Sequence, residues 1–92
     1  MPETLVDNTA AHRFELAVAG GTAFINYRRA GSVLFLDHAE VPAQLGGRGL
    51  GTRLVRETLA LVRSRGERVV PVCSFVRAAM ARHAEYDDLR AP

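Results

Sequence analysis

The sequence has no lysine, no tryptophan and only one cysteine. A lone cysteine cannot close an intramolecular disulfide, so nothing in the chain calls for an oxidising compartment. Without lysine there is no P-loop, because G-x-x-x-x-G-K-[ST] takes its phosphate-gripping charge from that residue. No apolar run approaches the ~20 residues needed to span a bilayer. The opening stretch, MPETLVDNTAAHRFELAV, has no basic segment followed by an apolar one, so no secretory leader is expected. These absences point to a cytoplasmic protein with no membrane partner.

All twelve basic residues are arginine, and they run from Arg13 to Arg90 without forming a stripe. Only Arg63, Arg65 and Arg68 come close together, and a solvated helix end accounts for them. Nucleic-acid binders concentrate such charge and interleave it with aromatics, so no nucleic-acid partner is expected. The apolar fraction of 48% against 24% charged residues is that of a folded soluble domain, which excludes disorder. With 92 residues the chain has room for a single domain, 1–92. A chain this short buries only ~60–65% of the surface its unfolded form exposes. A bound ligand or a second copy would therefore add stability, and both monomer and homodimer fit.

Alternation sets the first half. Residues 1–11 are polar and without period, and read as a loose tail. From Arg13 to Val18 the apolar positions are Phe14, Leu16 and Val18, followed by a turn at Ala19-Gly20-Gly21. Ala23, Ile25 and Tyr27 mark a second strand over about 22–29. After a turn at Gly31 a third runs from Val33 to Val41, where Pro42 stops it. On that third strand His38 and Glu40 share one face, with Asp37 expected on the other.

The period then becomes helical, with Leu50, Leu54, Thr58, Leu61 and Val62 recurring, Val55 and Leu59 widening the apolar stripe, and Gly66 placed to end the helix. Val69 to Cys73 reads as a short strand parallel to the third. A last helix is expected over about Phe75–His83, and the chain is expected to fray after Leu89. The fold class is α/β, more fully an α+β arrangement around a mixed sheet, in the order βββαβα.

Between the third strand and the first helix lies Gln44-Leu-Gly-Gly-Arg-Gly-Leu-Gly51. Four glycines within six residues, Gly46 to Gly51, exceed what a plain turn requires. Backbone N–H groups freed of side-chain bulk at a helix N-terminus converge on an anion, and the helix dipole favours negative charge there. Arg48 adds a full charge. The dinucleotide fingerprint G-x-G-x-x-G does not fit: started at Gly47 or Gly49, it puts Thr52 or Leu54 where its third glycine belongs. No acidic residue closes the strand at Val69–Val72 either.

Gln44-x-x-Gly47-x-Gly49 resembles the [QR]-x-x-G-x-[GA] loop of the GNAT N-acetyltransferases. His38-Ala-Glu-Val-Pro42, Val70-Pro-Val-Cys-Ser-Phe-Val76 and Arg82-His-Ala-Glu-Tyr86 extend the likeness over about residues 13–89. The pattern is similar to the minimal single-domain subgroup of the type called N-acetyltransferase domain-containing protein 1. Relatives often carry threonine after the histidine and proline after the cysteine, where this chain has Ala39 and Ser74; Ser74 can cap the last helix.

The resemblance implies a truncated GNAT fold holding acetyl-CoA between two parallel strands and moving its acetyl group to an amine of unknown identity. The pantetheine arm would meet the backbone at Glu40 and Val41. The pyrophosphate would rest on Gly47 to Thr52, and Val41, Gln44, Gly46, Gly47, Arg48, Gly49, Leu50, Gly51 and Thr52 are the expected cofactor-binding residues. It also implies a shallow acceptor site, or one completed by a second copy.

Cys73, His38 and Glu40 are the catalytic candidates. Cys73 reads either as a small buried apolar residue or as a thiol at a helix N-terminus, a place that favours thiolate. His38 and Glu40 read either as local surface residues or as bases for the amine, imidazole being the better tuned near neutral pH. His83, Glu85 and Tyr86 suit capping and packing, with Tyr86 as an alternative general acid. Cys73 and His83 are too few for a zinc site, and no metal is expected. A different class remains open, a CoA- or acetyl-CoA-binding module that acts as a sensor or partner subunit without efficient catalysis.

Overall fold

Phe14, Leu16, Ala23, Ile25, Tyr27, Leu34 and Leu36 recur at every second position, as a half-buried sheet requires. In the computed structural model, which describes residues 4–92, all of them are buried on one face of a five-stranded sheet. The strands are β1 (Leu5–Asn8), β2 (Arg13–Val18), β3 (Gly21–Ala30), β4 (Val33–Glu40) and β5 (Arg68–Pro71). They lie in sequence order; β1 to β4 are antiparallel neighbours and β5 runs parallel to β4. The helices α1 (Leu50–Ser64) and α2 (Ser74–Ala81) supply Leu54, Val55, Leu59, Val62, Val76 and Met80 to the same core. The mixed α+β class stands as expected, in the order ββββαβα rather than βββαβα.

The extra strand corrects the expectation of a loose tail over residues 1–11. Leu5 to Asn8 pair with Leu16 to Arg13, and a 3-10 turn over Thr9–Ala11 follows. The sequence LVDN is too short and polar to announce a strand; tertiary contacts hold it. Leu5 packs against the core, and the Asp7 carboxylate accepts hydrogen bonds from the Tyr27 hydroxyl at 2.6 Å and from Arg65 at 2.8 Å. Residues 1–3 of the expected tail lie outside the described residues.

Gly66 ends α1 as the sequence indicates. It is left-handed (φ 68°), its N–H donates to the Arg63 carbonyl, and the Glu67 N–H donates to that of Val62. This is the Schellman pattern, which satisfies carbonyls the helix leaves open. β5 starts one residue earlier than expected and ends two residues earlier, because the Val72 N–H turns back to the Val70 carbonyl at 3.0 Å. Ser74 does not cap α2: it is the first helical residue, Cys73 holds the cap position, and no side chain caps the end. α2 stops at Ala81, and a 3-10 segment over Ala84–Leu89 buries Leu89. The end expected to fray is fastened instead, the Ala91 N–H donating to the Val69 carbonyl at 2.8 Å. Among the described residues no helix is long and apolar enough to cross a membrane.

Candidate functional site

Two halves of β4 have different neighbours. From Val33 to Leu36 it lies between β3 and β5, the last parallel pair being Leu36 with Pro71. Pairing with β3 continues to Phe24 with Glu40. The final tie on the β5 side is the Cys73 N–H on the Leu36 carbonyl at 2.9 Å. Beyond it, β4 keeps one strand neighbour and the two parallel strands part, leaving a wedge.

A cavity of about 280 Å³ opens beside this wedge, lined by Val41, Leu45, the glycine segment, the first residues of α1, and Phe75. Of the expected cofactor-binding residues, Val41, Gly46, Gly47, Gly49, Leu50, Gly51 and Thr52 line it. Gln44 and Arg48 do not. The Gln44 amide donates to the Gly20 carbonyl at 3.1 Å and fastens the 3-10 segment Ala43–Leu45 to the β2–β3 turn. Arg48 is exposed and has no ion pair among the described residues. Leu45 and Phe75 are additions. Phe75 is 42% exposed although aromatic, and its position in the first turn after a strand was the available signal.

The glycines have particular reasons. Gly49, the residue before α1, is left-handed (φ 69°), a conformation that side chains resist. A Cβ on Gly51 would lie 2.7 Å from Phe75 Cζ, so a side chain there would displace this half-exposed ring from its place over the start of α1. No side chain caps the start of α1 and no acidic residue stands in its first turn. Arg53 is the first residue whose N–H reaches back, to Gly49 at 3.1 Å. The N–H groups of Leu50, Gly51 and Thr52 therefore have no intrahelical acceptor, and all three residues line the cavity. An anion fits these donors and the dipole behind them.

The catalytic candidates fall into two groups. His38 and Glu40 share a face, as expected, and their nearest polar atoms are 3.7 Å apart, longer than a hydrogen bond. They stand opposite Asn26 and Phe24 on the sheet face away from the helices, more than half exposed. Cys73 packs against the core on the helix side. No hydrogen bond joins it to either of the others among the described residues.

Asp37 does not take the opposite face. The ladder steps from Tyr27–Leu36 to Asn26–His38, so Asp37 is the extra residue of a bulge. Its carboxylate receives both Nε and Nη2 of Arg28, at 2.6 and 2.8 Å, and Arg28 stacks on the outward Phe35. These hydrogen bonds hold the Asp37 carboxyl below its ordinary range. His83, Glu85 and Tyr86 sit past α2: His83 lies 3.4 Å from the Glu85 carboxylate and edge-on to the Tyr86 ring. None lines the glycine cavity. Among the described residues no three His, Cys, Asp or Glu side chains gather into a cluster able to hold a metal ion.

Comparison with known proteins agrees with this arrangement. Residues 13–89 match a family model described as GCN5-related N-acetyl-transferase. The fold is similar to the NMR solution structure of a GCN5-like protein from Staphylococcus aureus, with a TM-score of 0.73 and 22% identity. The likeness covers 97% of this chain and 88% of that one, and at this identity it speaks for the fold alone. Among curated proteins none matches.

Proposed function

Because the chain belongs to the GCN5-related N-acetyltransferase family, we propose that it takes an acetyl group from acetyl-CoA and transfers it to an amine. One observation carries this reading: an uncapped helix N-terminus wrapped by glycines lies beside a β4 edge without a strand partner. The N–H groups of Gly47 to Thr52 suit a pyrophosphate. The backbone at Glu40 and Val41 is free to pair with an extended, amide-bearing arm, much as a sheet edge takes up a peptide. Bound there, acetyl-CoA supplies its acetyl group as a thioester.

The chain's own residues then have limited tasks. Backbone N–H near Val41 polarises the thioester carbonyl, and the wedge fixes the approach of the amine. His38 or Glu40 takes the proton released as the nitrogen bonds to the acetyl carbon. Cys73 returns a proton to the departing thiolate, or itself receives the acetyl group first and passes it on.

A second reading rests on the separation just described. With Cys73 on one face and His38 and Glu40 on the other, the site also suits a CoA-binding module without efficient turnover. Calorimetric titration of acetyl-CoA tests the shared premise, with Gly47→Glu/Gly49→Glu as control. Binding near the micromolar range, about −8 kcal/mol, that disappears in the control is the expected result; no binding to the unaltered chain sinks both readings. Turnover with a panel of amines then separates them. Cys73→Ala and His38→Ala should each lose acetylation while keeping donor affinity, and unchanged acetylation in both removes the proposed chemistry.

A further inference from the structure

The two faces of β4 change places partway along the strand. Leu34 and Leu36 are buried under the helices, and beyond them Ala39 and Val41 pack against the same core. Unbroken alternation would carry on from Leu36 to His38 and Glu40 and turn both toward the helices. The extra residue of the bulge, Asp37, reverses them onto the outward face.

Asp37 is held there from β3. Arg28 stands opposite Phe35, lies over its ring at 4.9 Å from the centroid, and reaches along the sheet to grip the Asp37 carboxylate with two hydrogen bonds. A planar fork gives such a grip direction as well as charge. The other groups around His38 leave little charge unbalanced. On β2 the Glu15 carboxylate accepts from Arg13 and Asn8. On β3 Asn26 stands opposite His38, and the Phe24 ring lies edge-on to it. No β5 residue pairs with β4 beyond Leu36, and the helices cover the other face. Glu40 has no guanidinium partner among the described residues, so Arg28 decides whether the imidazole meets one free carboxylate or two. We propose that Arg28 is a positioning residue for the proton acceptor of the site: it fixes the bulge that presents His38 and Glu40, and it neutralises the Asp37 charge beside them. The proposal rests on the acetyl-transfer reading of the site.

Two measurements on the full chain test it, the pH dependence of kcat and the NMR titration of the His38 ring. Arg28→Gln leaves a carboxylate unpaired beside the acceptor, which favours the protonated form of an imidazole and of a second carboxylate alike. The rising limb of kcat should therefore move to higher pH, with its plateau about ten- to a hundredfold lower and KM for acetyl-CoA unchanged. His38 should titrate at higher pH, while His12 and His83 stay where they are. Arg28→Lys keeps the charge without the fork and should restore the limb more fully than the plateau. Arg28→Gln/Asp37→Asn exposes no carboxylate and should titrate like the unaltered chain, with the plateau still lowered. The Arg28 side chain is 64% exposed, so folding should survive. A His38 titration unmoved by Arg28→Gln overturns the proposal, as does a lowered plateau with the limb unmoved or a shift that persists in the double variant. An unaltered chain that binds acetyl-CoA but acetylates no amine overturns the acetyl-transfer reading instead, and the ring titration then decides the tie between Arg28 and His38 by itself.

Discussion

At its C-terminal end α1 is closed by its own chain. Gly66 and Glu67 cover the last carbonyls, Arg65 reaches Asp7 on β1, and Arg63 holds both the Asp88 carboxylate and the Glu85 carbonyl. At its N-terminal end the same helix has a left-handed glycine for a cap residue, no side-chain acceptor and no acidic residue in its first turn. A helix built only for stability would be finished at both ends, since a side-chain cap contributes roughly 1 kcal/mol. The unfinished end is the one beside the wedge, and its open donors are what a phosphate needs.

Three changes act on that contrast. The largest effect is expected from Thr52→Glu, at the third helical position. A carboxylate there favours the helix by about 0.3–1 kcal/mol, so the melting temperature should rise slightly. Acetyl-CoA affinity should fall about ten- to a hundredfold, because the new charge occupies the anion's place. Affinity unchanged by calorimetry would mean that the open end holds no phosphate.

Next comes Gly66→Val at the finished end. Forcing a β-branched residue into φ 68° should remove about 1–2 kcal/mol in urea unfolding, with donor affinity intact. Loss of affinity together with stability would show that the two ends are not independent.

The smallest effect concerns pH. Hydrogen bonding to Arg63 holds the Asp88 carboxyl below its ordinary value of 3.8. A carboxyl depressed in the folded state contributes stability that is complete above its unfolded value and lost as pH falls through the lower folded one. Asp88→Asn should therefore lower neutral stability by a small amount, leave stability in strong acid nearly unchanged, and so make the acid limb of the profile shallower below about pH 4. Thermal melts between acid and neutral pH would show it, and an unaltered acid limb would discount the Arg63–Asp88 tie.

Much of this architecture is legible wherever one face is buried. Phe14, Leu16, Ala23, Ile25, Leu34 and Leu36 alternate because the helices cover one side of the sheet, and Leu54, Val55, Leu59 and Val62 recur because α1 does the covering. β1 is illegible for the opposite reason, since Val6 faces outward at the sheet edge and Asp7 is fixed by Tyr27 and Arg65, remote in sequence. The bulge at Asp37 leaves no trace in the alternation of β4 until its pairing with β3 is known. In the site, the glycine pattern locates the cavity, but it says nothing of where Gln44 points or that Phe75 forms a wall.

The outward face of the sheet has a chemical consequence of its own. Guanidinium groups make ion pairs and ring contacts on it, with Arg13 on Glu15 and over Phe24, and Arg28 on Asp37 and over Phe35. Guanidinium stays protonated at physiological pH and is no nucleophile there. A protein proposed to hand acetyl groups to amines thus displays no side-chain amine on which its own product could form, and incubation with its donor should leave these ion pairs chemically unmarked.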